Sequence, residues 1–170
     1  MQAQEINKYI HALVSTTRNI DENLYQNNLD IGIDLQEKKG GSIGGEISFY
    51  KFWDRAEYSS MGIGLRPVMQ IFFVNRHAYK IFTEAKGGVI YMLPEHTNNA
   101  WNFTFVCGFG AELLSVKNNM LRLHIIYTHF SNGKPGADAA NPTWDGFGIS
   151  LGWAYHLNQK PYNDQYQQKH

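Results

Sequence analysis

From Leu121 to Thr128 the side chains fall into two series that take turns along the chain. Leu121, Leu123, Ile125 and Tyr127 form one, and Arg122, His124 and Thr128 belong to the other, which in an extended strand puts them on opposite faces. The same period of two recurs elsewhere. Phe103, Phe105, Cys107, Phe109 and Leu113 oppose Asn102, Thr104 and Glu112, while Ile81, Val89 and Tyr91 oppose Lys80, Glu84 and Lys86. Phe147, Ile149, Leu151, Trp153 and Tyr155 alternate with Gly148, Ser150, Gly152 and Ala154. No convincing stripe of helical period competes with this. The pattern predicts an all-β chain with strands over Ile6–Val14, Tyr25–Gln36, Ser42–Phe52, Ser59–Phe73, Ala78–Tyr91, Trp101–Leu113, Met120–Ser131 and Asp145–Leu157.

The connections alternate in length. Tight turns are expected at Lys39-Gly40-Gly41, Asn75-Arg76 and Asn118-Asn119, and longer polar loops around Asn19, Ala56, His96 and Ala137. Short turns on one side and long loops on the other describe an eight-stranded antiparallel up-and-down barrel. A single domain over residues 1–157 is expected, followed by a polar tail over 158–170.

Two barrels share this alternation. A soluble lipocalin-like barrel turns its apolar face inward around a ligand, and a transmembrane β-barrel turns it outward to lipid and fills a narrow interior with polar groups. The aromatic positions choose between them. On the apolar face Tyr91, Trp101 and Tyr127 fall near the long-loop ends and Phe73, Tyr79 and Tyr155 near the short-turn ends, as two interfacial girdles require. A transmembrane barrel is therefore expected, with Arg66, Glu84, Lys86 and Glu112 paired inside it and His124 in the same polar interior. Pro67 has no N–H for a closed ladder, so a bulge or break is expected there.

Composition narrows the function classes. A length of 170 residues supports one domain with a real core, and the formal net charge of zero implies no extended basic surface and hence no nucleic-acid partner. Cys107 is the only cysteine, so neither a disulfide framework nor a cysteine-based zinc site is available. His11, His77, His96, His156 and His170 show no metal-ligand spacing, and no metal or other cofactor is expected. No run approaches the ~20 apolar residues of a membrane helix. The opening MQAQEINKYI lacks the basic start and apolar segment of a secretory signal, which fits either a cytosolic chain or a processed one with a new initiator.

Candidate chemistry gathers at the end of the seventh strand. His129 and Ser131 are two apart and continue the outward series of Leu121 to Tyr127, so both emerge on the apolar face at its rim. Asp145 opens the next strand with the parity of Phe147 and Ile149 and emerges on the same face. A serine hydroxyl becomes a nucleophile when an imidazole takes its proton and a carboxylate orients that imidazole. Ser131 is the expected nucleophile, His129 the base and acid, and Asp145 the orienting acid, with Asp138 a less well-held competitor. The Asn132 side chain and the backbone N–H groups of Asn132 and Gly133 would serve the oxyanion. The bland alternative is a polar rim whose Asn132, Gly133 and Pro135 only make a turn.

His129-Phe130-Ser131-Asn132 followed by Asn141-Pro142-Thr143-Trp144-Asp145 resembles the signature of the outer-membrane lipid A 3-O-deacylases of the PagL type and their acyloxyacyl hydrolase relatives. That signature runs HxSNxG, a short gap, then NPG, a hydrophobic residue and an acid or Asn. Here Lys134 lies between Gly133 and Gly136, Thr143 replaces a glycine, the gap is longer, and Asp145 stands where one branch has Glu. The resemblance implies a barrel in the bacterial outer membrane whose Ser-His-acid site hydrolyses the 3-position acyl ester of lipid A without a metal. Its partners would be lipid A and the surrounding membrane lipids, and a homodimer stays open. The alternatives are a catalytically silent barrel, in the membrane or as a soluble lipid binder, and a phospholipid esterase on the same barrel.

Overall fold

The computed structural model describes residues 6–21, 23–37, 40–53, 59–76, 78–93, 101–114, 118–131 and 144–157. It contains eight strands: β1 (Ile6–Asn19), β2 (Tyr25–Glu37), β3 (Gly41–Trp53), β4 (Ser59–Asn75), β5 (Tyr79–Met92), β6 (Trp101–Leu114), β7 (Asn119–Ser131) and β8 (Trp144–His156). Each pairs antiparallel with its sequence neighbour, and β8 returns to β1 to close the barrel. Intervals of 5, 5, 8 and 12 residues separate strands at one end, against 3, 3 and 4 at the other, which is the alternation the turn residues predicted.

The two faces settle which solvent surrounds the barrel. Val14, Ile43, Leu65 and Ile125 are each more than 60% exposed on the outside, whereas the charged Asp34, Glu46, Arg66 and Arg122 are almost wholly enclosed. A wall with this polarity is inside out for water and right for lipid. Trp101, Phe73 and Tyr79 are exposed at the two ends, with Tyr91 against Trp101 at 5.1 Å, as the expected girdles require.

Charges enclosed in a barrel must find partners, and here they form one chain of pairs. Arg66 bonds Asp30 at 2.8 Å and also Glu46; Lys86 reaches Glu46 at 3.0 Å and Glu84 at 3.3 Å. Lower down, Arg122 meets Asp34 at 2.7 Å and Glu112 at 2.6 Å, and Lys80 meets Glu112 at 2.9 Å. His11 links the two groups, with Nδ1 3.0 Å from Asp34 and Nε2 3.3 Å from Glu46. Gly32 makes room for that ring, because a Cβ there would lie 2.7 Å from it. His124 sits 3.3 Å from Glu84 and edge-on to Phe82, inside as expected.

Two expectations change and a third is met in one of its two forms. Strand β1 continues five residues beyond Val14, pairing Arg18 with Tyr25 and Asn19 with Gly146. Ser15 to Asn19 carries no apolar side chain to announce a strand, because Ser15, Thr17 and Asn19 point into the polar interior and Thr16 and Arg18 lie at the rim. At Pro67 the expected break is present without a bulge: the β4–β5 ladder skips Arg66 and Pro67 between Leu65↔Val89 and Val68↔Lys86 but resumes in step, and the register shift falls between Phe72 and Val74. Gly45, opposite Pro67 on β3, brings no side chain against its ring. The interior is also not polar throughout. Tyr50, Phe52, Ile90, Met92, Phe130 and Trp144 form an apolar plug at the long-loop end. The polar tail over 158–170 lies outside the described residues.

Candidate active site

Alternation at the ends of β7 and β8 separates function from anchoring. Tyr127, His129 and Ser131 take the outward positions of β7, and Thr128 and Phe130 between them are buried inside. Strand β8 begins with Trp144 turned inward and Asp145 outward. Phe130 and Trp144 pack at 5.5 Å, with Phe52 at 5.2 Å from Phe130 and 6.0 Å from Trp144, so each outward polar residue is flanked in sequence by an aromatic anchor. Gly146 is needed for this arrangement, since a Cβ there would run into the Trp144 indole and the Arg18 carbonyl oxygen.

The register then brings two of the predicted residues, His129 and Asp145, together. His129 and Asp145 are direct cross-strand partners, the pairing in which side chains on one face lie closest. His129 Nδ1 is 2.8 Å from Asp145 Oδ1. An aspartate is long enough here because no offset in register has to be bridged. The backbone N–H of Ile20 donates to the Asp145 carbonyl at 2.9 Å, tying the start of β8 to the end of β1.

Tyr127, whose place in the sequence pattern points only to the aromatic girdle, contributes a further partner. Its hydroxyl donates to the same Asp145 oxygen, from the diagonal position two residues before His129. Having the parity of His129, one step nearer the membrane, was the available signal. The carboxylate thus accepts from both an imidazole and a phenol.

Ser131 ends β7, half-buried on the outward series and opposite Phe103 of β6. With Nδ1 directed at the carboxylate, Nε2 is the ring nitrogen suited to exchange a proton with a serine. Asn132 and Gly133, expected to bind the oxyanion, lie outside the described residues, as do Asp138 and residues 141–143. His129 and Asp145 keep about a third of their side-chain surface exposed, so the pair is open to the lipid-facing side of the rim. Among the described residues no group of His, Cys, Asp and Glu could hold a metal ion.

Comparison with known proteins places this geometry in context. The family model described as lipid A 3-O-deacylase (PagL) matches residues 18–154. A crystal structure of the outer membrane enzyme PagL is similar over 86% of this chain and 98% of its own, with 17% identity and a TM-score of 0.58. That of Neisserial surface protein A covers 89% and 97% respectively, at 8% identity and a TM-score of 0.61. At these identities the structural likeness is one of fold. No curated protein matches the chain.

Proposed function

This chain belongs to the lipid A 3-O-deacylase (PagL) family, and on that premise we propose that its hydrolysis of lipid A is carried out by Ser131, His129 and Asp145. The observation that carries the assignment is the His129–Asp145 pair, 2.8 Å apart, on the lipid-facing side of the barrel at its long-loop end. Lipid A presents its acyl esters at the boundary between hydrocarbon and headgroup. A triad on that rim meets such an ester from the side, without drawing the lipid into the barrel.

In this mechanism His129 Nε2 takes the Ser131 proton as Oγ attacks the ester carbonyl at the 3 position. Donors from Asn132 and Gly133 receive the charge on the tetrahedral oxyanion. Collapse breaks the bond to the sugar oxygen, which leaves with the proton held by the imidazolium. Water, deprotonated by the same imidazole, then releases the fatty acid from the acyl-serine. Asp145 holds Nδ1–H and stabilises the imidazolium in each half-reaction. Tyr127 is a positioning residue that fixes the carboxylate.

The decisive experiment is mass spectrometry of lipid A from Gram-negative cells exporting this chain, beside a Ser131→Ala control. Loss of one hydroxyacyl chain only with the intact serine is expected. Unchanged lipid A with the folded barrel in the outer membrane would overturn the assignment, and fatty-acid loss from phospholipids in the same cells would redirect it to that substrate.

A further inference from the structure

A cation stands on the lipid-facing rim close to the proposed triad, and nothing in the mechanism above uses it. Arg18 lies on the outward series of β1, exposed, directly across from Phe147 of β8. Phe147 in turn faces Tyr127 of β7, their rings 5.3 Å apart. The row Tyr127, Phe147, Arg18 therefore runs beside the row His129, Asp145, Ile20, two residues farther toward the short-turn end. With strands ~4.8 Å apart and ~3.4 Å of rise per residue, the Arg18 backbone is about 12 Å from that of His129 and about 17 Å from that of Ser131, a gap the long arginine side chain shortens.

Among the described residues the guanidinium is held by an amide and meets no carboxylate. Its Nη2 donates to Asn23 Oδ1 at 2.9 Å, and no carboxylate among the described residues forms an ion pair with it. The nearby Asp145 is occupied by His129 and Tyr127. An arginine has five N–H donors in a planar fork, so one bond to a neutral amide oxygen leaves a bidentate face for an anion. Its depth suits a headgroup: Val14 and Ile10 lie farther along the same face of β1, and the stacked Tyr25 and Trp53 stand beside it. Among the described residues the other outward cation on this rim is Lys51, on β3, three strands from β8.

We propose that Arg18 is a phosphate-binding residue that makes the proposed site selective for acylated saccharides carrying a phosphate on the sugar. This inference rests on the reading of His129, Ser131 and Asp145 as the active site, since it takes its distance from them. A phosphoester on the ring that bears the scissile acyl chain is the anion nearest the reacting carbonyl. Gripping it from β1 while Ser131 acts from β7, two residues beyond His129, lays the sugar across the outward face of β8 between Asp145 and Phe147. A phosphate is bound in ground and transition states alike, so the effect falls on KM rather than kcat.

The test is steady-state kinetics in neutral-detergent micelles with two substrates, lipid A and the same lipid A stripped of its phosphates. The parent protein should favour the phosphorylated form on the order of tenfold or more in KM, the scale of a charge-assisted bidentate contact. Arg18→Gln should erase that preference and leave turnover of the dephosphorylated form unchanged. Arg18→Lys should keep part of it, and Lys51→Gln all of it. Ser131→Ala protein, which cannot turn over, should show the same preference in binding to the two kinds of micelle. Equal effects of Arg18→Gln on both substrates, or none on either, would overturn the proposal. So would an effect that appears only when an anionic phospholipid is added to the micelles, because Arg18 would then be holding a neighbouring lipid. Binding preference without hydrolysis in the parent would instead sink the catalytic reading and leave the phosphate site standing.

Discussion

The link from His129 to Asp145 works through a single carboxylate oxygen that serves two donors. Asp145→Asn preserves shape but loses the charge that selects the Nδ1–H tautomer, and a fall in kcat on the order of 10²-fold is expected. The fall should be smaller than for an enclosed triad because this pair is about one-third exposed. Tyr127→Phe removes only one hydrogen bond to the acid, so roughly a five- to tenfold loss in kcat with KM unchanged is expected. Deacylation assays in detergent would measure both, and a Tyr127→Phe protein as fast as the parent would return Tyr127 to the girdle alone. That His129 and Ser131 share a face could be read from the sequence, because residues two apart on a strand point the same way. The role of Tyr127 could not, since a tyrosine at the headgroup level already has a sufficient reason to be there.

The ends of β7 and β8 act as paired elements clamped from behind. Phe130 and Trp144 lock the strand ends into the interior plug while their sequence neighbours face lipid. Trp144→Ala should therefore cost about 3 kcal/mol of barrel stability, read as an earlier midpoint in urea unfolding from vesicles, and lower kcat as Asp145 loses its footing. Gly146→Ala should give a similar loss by driving the indole out of its seat. Full activity in both would show that the plug does not position the acid. The plug was hidden in the sequence because its members come from β3, β5, β7 and β8, and an inward aromatic near a strand end has the same local pattern as any buried residue. The five residues added to β1 were hidden for the complementary reason. A strand whose inner side is polar and whose outer side has reached the headgroups has no apolar alternation left to detect.

For the whole barrel, the inverted polarity fixes what each face tolerates. Ile125→Arg puts a charge on the lipid face and should cost about 2–4 kcal/mol if that position lies near the midplane. Glu46→Ala acts from the other side of the same wall. It leaves Arg66, Lys86 and His11 without a shared partner, and about 3–5 kcal/mol is expected. Heat-modified electrophoretic mobility and urea unfolding in vesicles would check both. If Glu46→Ala were neutral, the interior network would be a solvated lining that does not hold the strands.

The sequence alone determined the parity of β5 to β8 and the alternation of the turns, because both are local: each side chain's face follows from its neighbours, and each turn from a few residues. Strand count and the shared face of His129, Ser131 and Asp145 follow from that parity and those turns, and the aromatic positions at the strand ends add the sidedness of the wall. Tertiary structure decided what depends on register. It placed Asp145 directly opposite His129, made Tyr127 its second donor, absorbed Pro67 without a shift, and brought Arg18 beside Phe147 by closing β8 onto β1. Register is a property of two strands at once, and closure of all eight, so no single stretch of sequence contains it.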